Sequence, residues 1–465
     1  MTSGKITSIS VMMLGLVLSS LGIANDLTTA PQSFYYQGKK VVPMDIQDVL
    51  VKYVFDVVSR KASAEAIINF VTAQDGYPFF DLVPPASDIR LNNSTLEKIE
   101  LVEAPMGVSQ IMLIPAPVTS DTLQTLHLAY SLKENVAFSG NGDVSVGFFM
   151  GDLIFGGRAF LERYAPANLE FDHVKYTFEA EVSGTDIEHK VYTNGVATKV
   201  AKNKWSVAFP DFYTSSSVFF QIAKADRFSE VHFEMPSKFR SVPVLIFGDQ
   251  QAEVAAAENV ARETFAELEE TFGPYAHDQL IIRIAGGRGG MEYAGATMTA
   301  AYGLPHEIAH SWFARGVMPR DGNAGWIDEA IATWRDNGYV KSASAPAGPP
   351  IMMSGFPEFR RHTNMQGYQQ GAQLLSQLDF VYRDKGGLKP ALRSLYLERK
   401  LTTISVGDFK EFLEKFYDQS LDAVFDRYVF GKGDLGSFEE AIRGPWAPLK
   451  IVHRPYTSEE LRRSL

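Results

Sequence analysis

Between residues 33 and 247 apolar and polar side chains alternate more often than they recur in helical rhythm. The clearest stretch sets Val174, Tyr176, Phe178, Ala180 and Val182 against Lys175, Thr177, Glu179 and Glu181, a period of two that predicts a strand with one buried face. Leu126, Leu128, Tyr130 and Leu132 repeat the pattern and turn His127 to the wet side. Asn194-Gly195 is a hairpin signal, Val218-Phe219-Phe220 reads as an inner strand, and one early helix is expected between Met44 and Arg60.

At Gly248 the rhythm changes. Val254, Ala261, Phe265, Leu268 and Phe272 recur at helical spacing until Gly273-Pro274 stops the run, and Leu280 to Ala285 then reads as a strand. It leads into Gly286-Gly287-Arg288-Gly289-Gly290, where a phosphate cradle is ruled against by the missing lysine-serine pair and close backbone approach to a substrate is expected. Further helices are predicted at the segment around His306 to Phe313, at Trp326 to Tyr339, Met365 to Tyr382, Leu388 to Arg399 and Val406 to Tyr417, the last with Ser405 and Asp408 as its cap. No repeat or low-complexity stretch suggests a solenoid. The chain therefore reads as multidomain α+β, with a β-rich domain over residues 25–247, a mainly helical one over 248–444 and a short tail over 445–465.

The first 24 residues read as a leader. Lys5 precedes the apolar run Val11 to Leu18, and Ser19-Ser20 and Gly22-Ile23-Ala24 supply the small residues of a cleavage site after Ala24. The run is shorter than the ~20 residues that span a bilayer, so an exported protein, periplasmic or secreted, with no stable membrane span after cleavage is expected. With no cysteine, the chain has neither disulfides nor thiolate ligands, and its 45% hydrophobic content must supply stability through burial. Acidic side chains number 55 against 44 basic ones, which argues against nucleic acid as a partner.

The candidate chemistry lies in His306-Glu307-Ile308-Ala309-His310, followed after eighteen residues by Glu329. Histidines four apart on a helix differ by about 40° around its axis, so both can reach one ion. Glu329, on the next predicted helix, is the expected third ligand; Asp328 beside it fits the spacing less well. One Zn2+ held this way keeps a position open for water and lowers its pKa to roughly 7, and Glu307, next to the first ligand, sits where a general base belongs. Of the other histidines His362 alone could approach such a site, with a core or surface position as its expected place; His173, His189, His232, His277 and His453 have no partner at ligand spacing.

These residues resemble the zinc aminopeptidases of the aminopeptidase N and leukotriene hydrolase type, the gluzincins with H-E-x-x-H and a glutamate eighteen residues on. His306 to Phe313 is similar to the family's H-E-x-x-H-x-W-F, and Trp326-Ile327-Asp328-Glu329-Ala330 to its W-L-[ND]-E-G. Gly289-Gly290-Met291-Glu292-Tyr293 resembles its exopeptidase signature, and Tyr368-Gln369-Gln370-Gly371-Ala372 its Y-x-K-G-A segment. Weaker likeness extends from Arg158 to about Phe430. The resemblance implies a β-sandwich-like N-terminal domain, a thermolysin-like catalytic domain, and removal of single residues from peptide N-termini. It implies binding of the substrate amine by Glu292, a wall for the first side chain from Gly289, Gly290, Met291 and Tyr293, and contact of Tyr368 with the reacting carbonyl oxygen.

The departures carry expectations too. Thirteen residues separate Glu292 from His306, a trimmed connection. Ala330 and Gln370 replace the usual glycine and lysine, and Leu153 stands where a second amine-holding side chain is expected, leaving that role to Glu292. About 135 residues follow Glu329, too few for the family's large helical C-terminal domain, which implies a more open site. Two rival readings stay open: a zinc endopeptidase on the same scaffold, and a non-catalytic envelope binding protein with a structural zinc.

Overall fold

The period-two stretches of the first half assemble into three sheets. The computed structural model describes residues 29–105, 110–287, 289–344 and 350–432. The leader with its cleavage site, the tail and Arg288 therefore lie outside the described residues. No helix among those described is long and apolar enough to cross a membrane.

An eight-stranded sheet forms the backbone of the first half, with Lys175–Ser183, Asp45–Asp56, Lys61–Val71 and Gln124–Leu132 side by side at its centre. Lys175–Ser183 and Asp45–Asp56 run parallel, with Tyr176 opposite Val49 and Phe178 opposite Val51. A four-stranded sheet, Val136–Phe138, Val144–Gly147, Phe220–Lys224 and His189–Thr193, shares one core with it. Across that interface Phe178 meets Phe220 at 5.7 Å, Tyr53 at 5.3 Å and Phe148 at 5.9 Å between ring centres. This is the sandwich-like arrangement expected. A smaller five-stranded sheet around Val41, Phe79, Ile111 and Leu113 completes the first half.

The helix expected between Met44 and Arg60 is instead the strand Asp45–Asp56. Val49, Val51, Tyr53 and Phe55 are buried while Lys52 and Val54 face solvent, so the period is two. The run is rich in β-branched and aromatic side chains, and pairing on both edges decides the matter.

The second half is built on a mixed five-stranded sheet, ordered Ser229–Pro236, Ser241–Gly248, Leu280–Ile284, Ala296–Thr299 and Gly290–Tyr293. Its first two strands precede Gly248, where the hydrophobic rhythm changes, and Met235, Val242, Val244 and Ile246 belong to the second core. That core also holds the buried face of α1 (Gln251–Phe272), formed by Val254, Ala261, Phe265, Leu268 and Phe272. Around it pack α2 (Leu304–Ala309), α3 (Gly325–Asp336), α4 (Ala372–Val381), α5 (Lys389–Arg399), α6 (Val406–Tyr417) and α7 (Asp422–Tyr428). The second half is thus a sheet with helices rather than a helical bundle. The Ser405 and Asp408 cap forms reciprocally, at 3.0 and 2.7 Å. Near Tyr368 the expected helix opens into a π-helical turn, Gly367–Gly371.

Phe178 has no exposed surface and touches aromatic rings of both sheets. Phe178→Ala is expected to lower the unfolding free energy of the first half by about 3–5 kcal/mol, measured by denaturant titration.

Candidate metal centre

The short helix α2 is fixed by its apolar side. Leu304, Ile308 and Ala309 are buried, and the Trp312 Nε1 just beyond donates to the Gly273 carbonyl at 2.8 Å while its ring meets Phe265 and Tyr275. The opposite side carries His306 and His310, whose rings lie 4.8 Å apart. Pro305 in the first turn costs no hydrogen bond there.

Helix α3 brings Glu329 to these rings. Its Oε2 lies 3.4 Å from His306 Nε2 and 3.5 Å from His310 Nε2, and this oxygen has no hydrogen-bond partner although the residue is 7% exposed. Donor atoms ~2.1 Å from one tetrahedral ion stand ~3.4 Å from each other, which the two carboxylate–imidazole separations match, and all three donor atoms lie within 4.8 Å of one another, so the set fits a zinc ion. The outer ring nitrogens are engaged: His306 Nδ1 donates to Asp336 Oδ2 at 2.7 Å and His310 Nδ1 to the Phe313 carbonyl at 3.2 Å. Both bonds select the tautomer with a free Nε2 lone pair. Asp328 is not in the ligand group; its Oδ1 accepts from the Glu329 N–H.

Burial opposes charge in this cluster, and the neighbours overcome it. Desolvation pulls His306 down, but Asp336 and Glu329 carry it up to about 10. Glu329 is held far below the usual range, because His310 and His306 outweigh the cost of its burial. The imidazole protons thus sit where a divalent cation would replace them, so metal uptake releases protons and weakens in acid.

Glu307 is 7% exposed, and its Oε2 also lacks a partner. Burial raises its carboxyl to about 8, against the pull of His306 and His310. Its ligand atoms group with those of Glu292 and His310. A β-carbon on Gly290 would overlap the Glu307 carboxylate, so a glycine here lets the strand lie close against Glu307. Gly289, by contrast, has open space around it and φ +90°.

Along the edge strand Gly290–Tyr293, Gly290 and Glu292 face the site while Met291 and Tyr293 enter the first core. Met291 still lines the cavity beside the metal group, whereas Tyr293 packs on Phe219 and accepts from the Met150 N–H, so it forms no part of the side-chain wall. Glu292 Oε1 accepts from Arg315 Nη2 at 2.7 Å. That buried arginine, which also donates to Ser216 Oγ at 2.6 Å, was not among the sequence candidates.

Tyr368 reaches the site from the π-helical turn. Its hydroxyl lies 2.6 Å from Glu329 Oε1 and 2.7 Å from Asp152 Oδ2, and its ring stacks over His306. The turn lies close against α3, since a β-carbon on Gly371 would fall 2.7 Å from that of Ala330. Asp152 is the second residue that sequence reasoning missed: the carboxylate lies one position before Leu153. It caps the 3-10 turn Leu153–Phe155, and burial with repulsion from Glu329 raises it to about 6. His362 packs against Phe356 and does not join the metal group.

No family model and no curated protein matches the sequence. Solved structures do match the fold. The Deinococcus radiodurans M1 zinc metallopeptidase bound to a Tyr-Ser-Ala substrate aligns at TM-score 0.61 and 14% identity, over 84% of this chain and 95% of that one. The fold is that of the M1 zinc metallopeptidases. Legionella pneumophila aminopeptidase A aligns at TM-score 0.64 and 16% identity over 83% of this chain and 49% of its own. Yeast LTA4 hydrolase aligns at 0.60 and 14% over 89% and 70%. The resemblance read from the sequence holds at the level of the fold.

Asp336→Asn is expected to weaken zinc binding by about 10–100-fold, since the amide orients His306 less firmly. Competition against a metal-sensitive dye measures this, and unchanged affinity would remove Asp336 from the centre.

Proposed function

We propose that this chain is a zinc-dependent aminopeptidase. One observation carries the reading: two imidazoles and an orphaned carboxylate oxygen converge at metal-ligand spacing, with Glu307 on one side and Glu292 and Asp152 at the same cavity. The fold likeness supports it, and among those neighbours one holds a tripeptide substrate and another aspartic acid.

His306, His310 and Glu329 would hold the ion. Zinc bound there supplies a Lewis acid and a water acidified to a pKa of roughly 7. Glu307 would take a proton at its buried, unpartnered Oε2 and pass it to the departing amine. The Tyr368 hydroxyl can turn from Glu329 to the carbonyl oxygen as negative charge develops, a contribution of about 3–4 kcal/mol for one such donor. Glu292, held by Arg315, and Asp152, held by Tyr368, pair with the substrate's α-ammonium and so place the first peptide bond at the metal.

Asp152 weighs against the endopeptidase reading, because it supplies the second anionic partner for a free amine. Glu307 weighs against a structural zinc, because its buried Oε2, without a hydrogen-bond partner among the described residues, lies beside the metal group where it can handle a proton. Work outside the cytoplasm is proposed on the leader sequence alone.

Glu307→Gln is expected to keep one zinc per chain and lose about 10²–10⁴-fold in kcat/KM on aminoacyl reporters. Chelation is expected to abolish activity and added zinc to restore it. If N-acetylated peptides are cut internally while free aminoacyl reporters are not, the endopeptidase reading replaces this one.

A further inference from the structure

His310 belongs to two groups of ligand atoms. One is His306, His310 and Glu329; the other is Glu292, Glu307 and His310, whose ligand atoms also lie within 4.8 Å of one another. The two are alternatives. His310 Nδ1 is engaged by the Phe313 carbonyl, which leaves Nε2 as the one nitrogen an ion in either group could use. An ion drawn towards Glu292 and Glu307 would occupy the carboxylates that the proposed reaction needs for the substrate amine and for proton transfer.

Arg315 stands between these two arrangements. It follows the histidine helix, is 2% exposed, and its backbone N–H donates to the His310 carbonyl at 2.9 Å. Its guanidinium grips Glu292 at two points, with Nη2 2.7 Å from Oε1 and Nε 3.3 Å from the backbone carbonyl oxygen, while Nη1 donates to Ser216 Oγ of the first half at 2.6 Å. Ser216 is buried, and the adjacent Ser217 carbonyl accepts from the Ala294 N–H at 3.0 Å, so this turn is tied to the residue just past the edge strand. Ala314, immediately before the arginine, is fully buried at φ +114° and donates its N–H to the Val317 carbonyl at 3.1 Å. A residue with a β-carbon keeps such a backbone conformation only where its surroundings enforce it.

A planar guanidinium bound to both the carboxylate and the main chain of one residue fixes direction as well as charge. Glu292 Oε1 is thereby committed, and a divalent ion at that carboxylate would meet the guanidinium's like charge. We propose that Arg315 is a positioning residue that keeps Glu292 off the metal and reserves it for the α-ammonium of the substrate. This rests on the aminopeptidase reading and adds how a carboxylate beside the ion is kept out of its coordination.

The test reads coordination and amine recognition separately. With Co2+ in place of zinc, visible absorption reports the number of donors and weakens as a fifth joins four. In Arg315→Gln the absorption is expected to weaken, and in Arg315→Gln combined with Glu292→Gln to recover, which a general loosening of the fold would not produce. The second readout is calorimetry on zinc-loaded protein, with the free amino acid of the best-cut reporter set against the same acid lacking its amine. The preference for the amine is expected to fall by about 10-fold in Arg315→Gln, as the loss of one oriented charge-assisted contact implies. Arg315→Lys, which keeps the buried charge without the planar fork, is expected to move both readouts in the same direction and takes over if Arg315→Gln does not fold. An unchanged cobalt spectrum, a spectrum that stays weak in the double variant, or an unchanged amine preference overturns the proposal. If the unaltered protein cuts no aminoacyl reporter, the aminopeptidase reading fails instead, and the cobalt spectra alone decide whether Arg315 keeps Glu292 off the metal.

Discussion

Glu329 and the two imidazoles of α2 form the contact on which the site depends. Three groups that each lose solvation on burial are brought together, with Glu329 Oε2 3.4 and 3.5 Å from the two Nε2 atoms, and a shared cation would satisfy all of them. The surroundings are arranged to hold that convergence. Trp312 ties the histidine helix to α1 through the Gly273 carbonyl, and Trp326 anchors α3 against Phe409 and Phe425. Gly367 and Gly371 let the Tyr368 turn lie directly on α3, which leaves the hydroxyl in reach of Glu329.

The two halves meet at the same place. The Gly157 N–H donates to the Arg361 carbonyl at 2.9 Å and the Thr363 N–H to the Leu153 carbonyl at 3.1 Å, so a loop of the first half runs against one of the second. Beneath them Arg361 joins Asp81 and Glu162, all three nearly without exposed surface. Buried ion pairs add little net stability relative to an apolar contact, but a misdocked arrangement would strand their charges, so they select one arrangement of the loops. That arrangement puts Asp152 opposite Tyr368 across 216 residues of chain.

Legibility followed the range of the physics. Helices α1, α5 and α6 were readable because their buried faces repeat within a few residues, and Ser405 with Asp408 marked a boundary by a bond three residues long. The stretch at Met44 to Arg60 misled because its apolar residues allow either period until neighbouring strands pair with it. The change of rhythm at Gly248 marks the start of α1, while the second core begins earlier, at a strand pair whose partners come later in the chain.

The proposed ligand set His306, His310 and Glu329 and the proposed base position of Glu307 were legible in the sequence because helix geometry and short spacings dictate which side chains share a face, whereas the proposed role of Glu292 came from the resemblance of Gly289 to Tyr293 to a known motif. Tertiary structure alone decided that Arg315 holds Glu292, that Asp152 rather than Leu153 meets Tyr368, and that Gly290 makes room for Glu307. Each of those depends on which distant segments pack together. Burial, which sets the cost of an unpaired charge, exists only once they do.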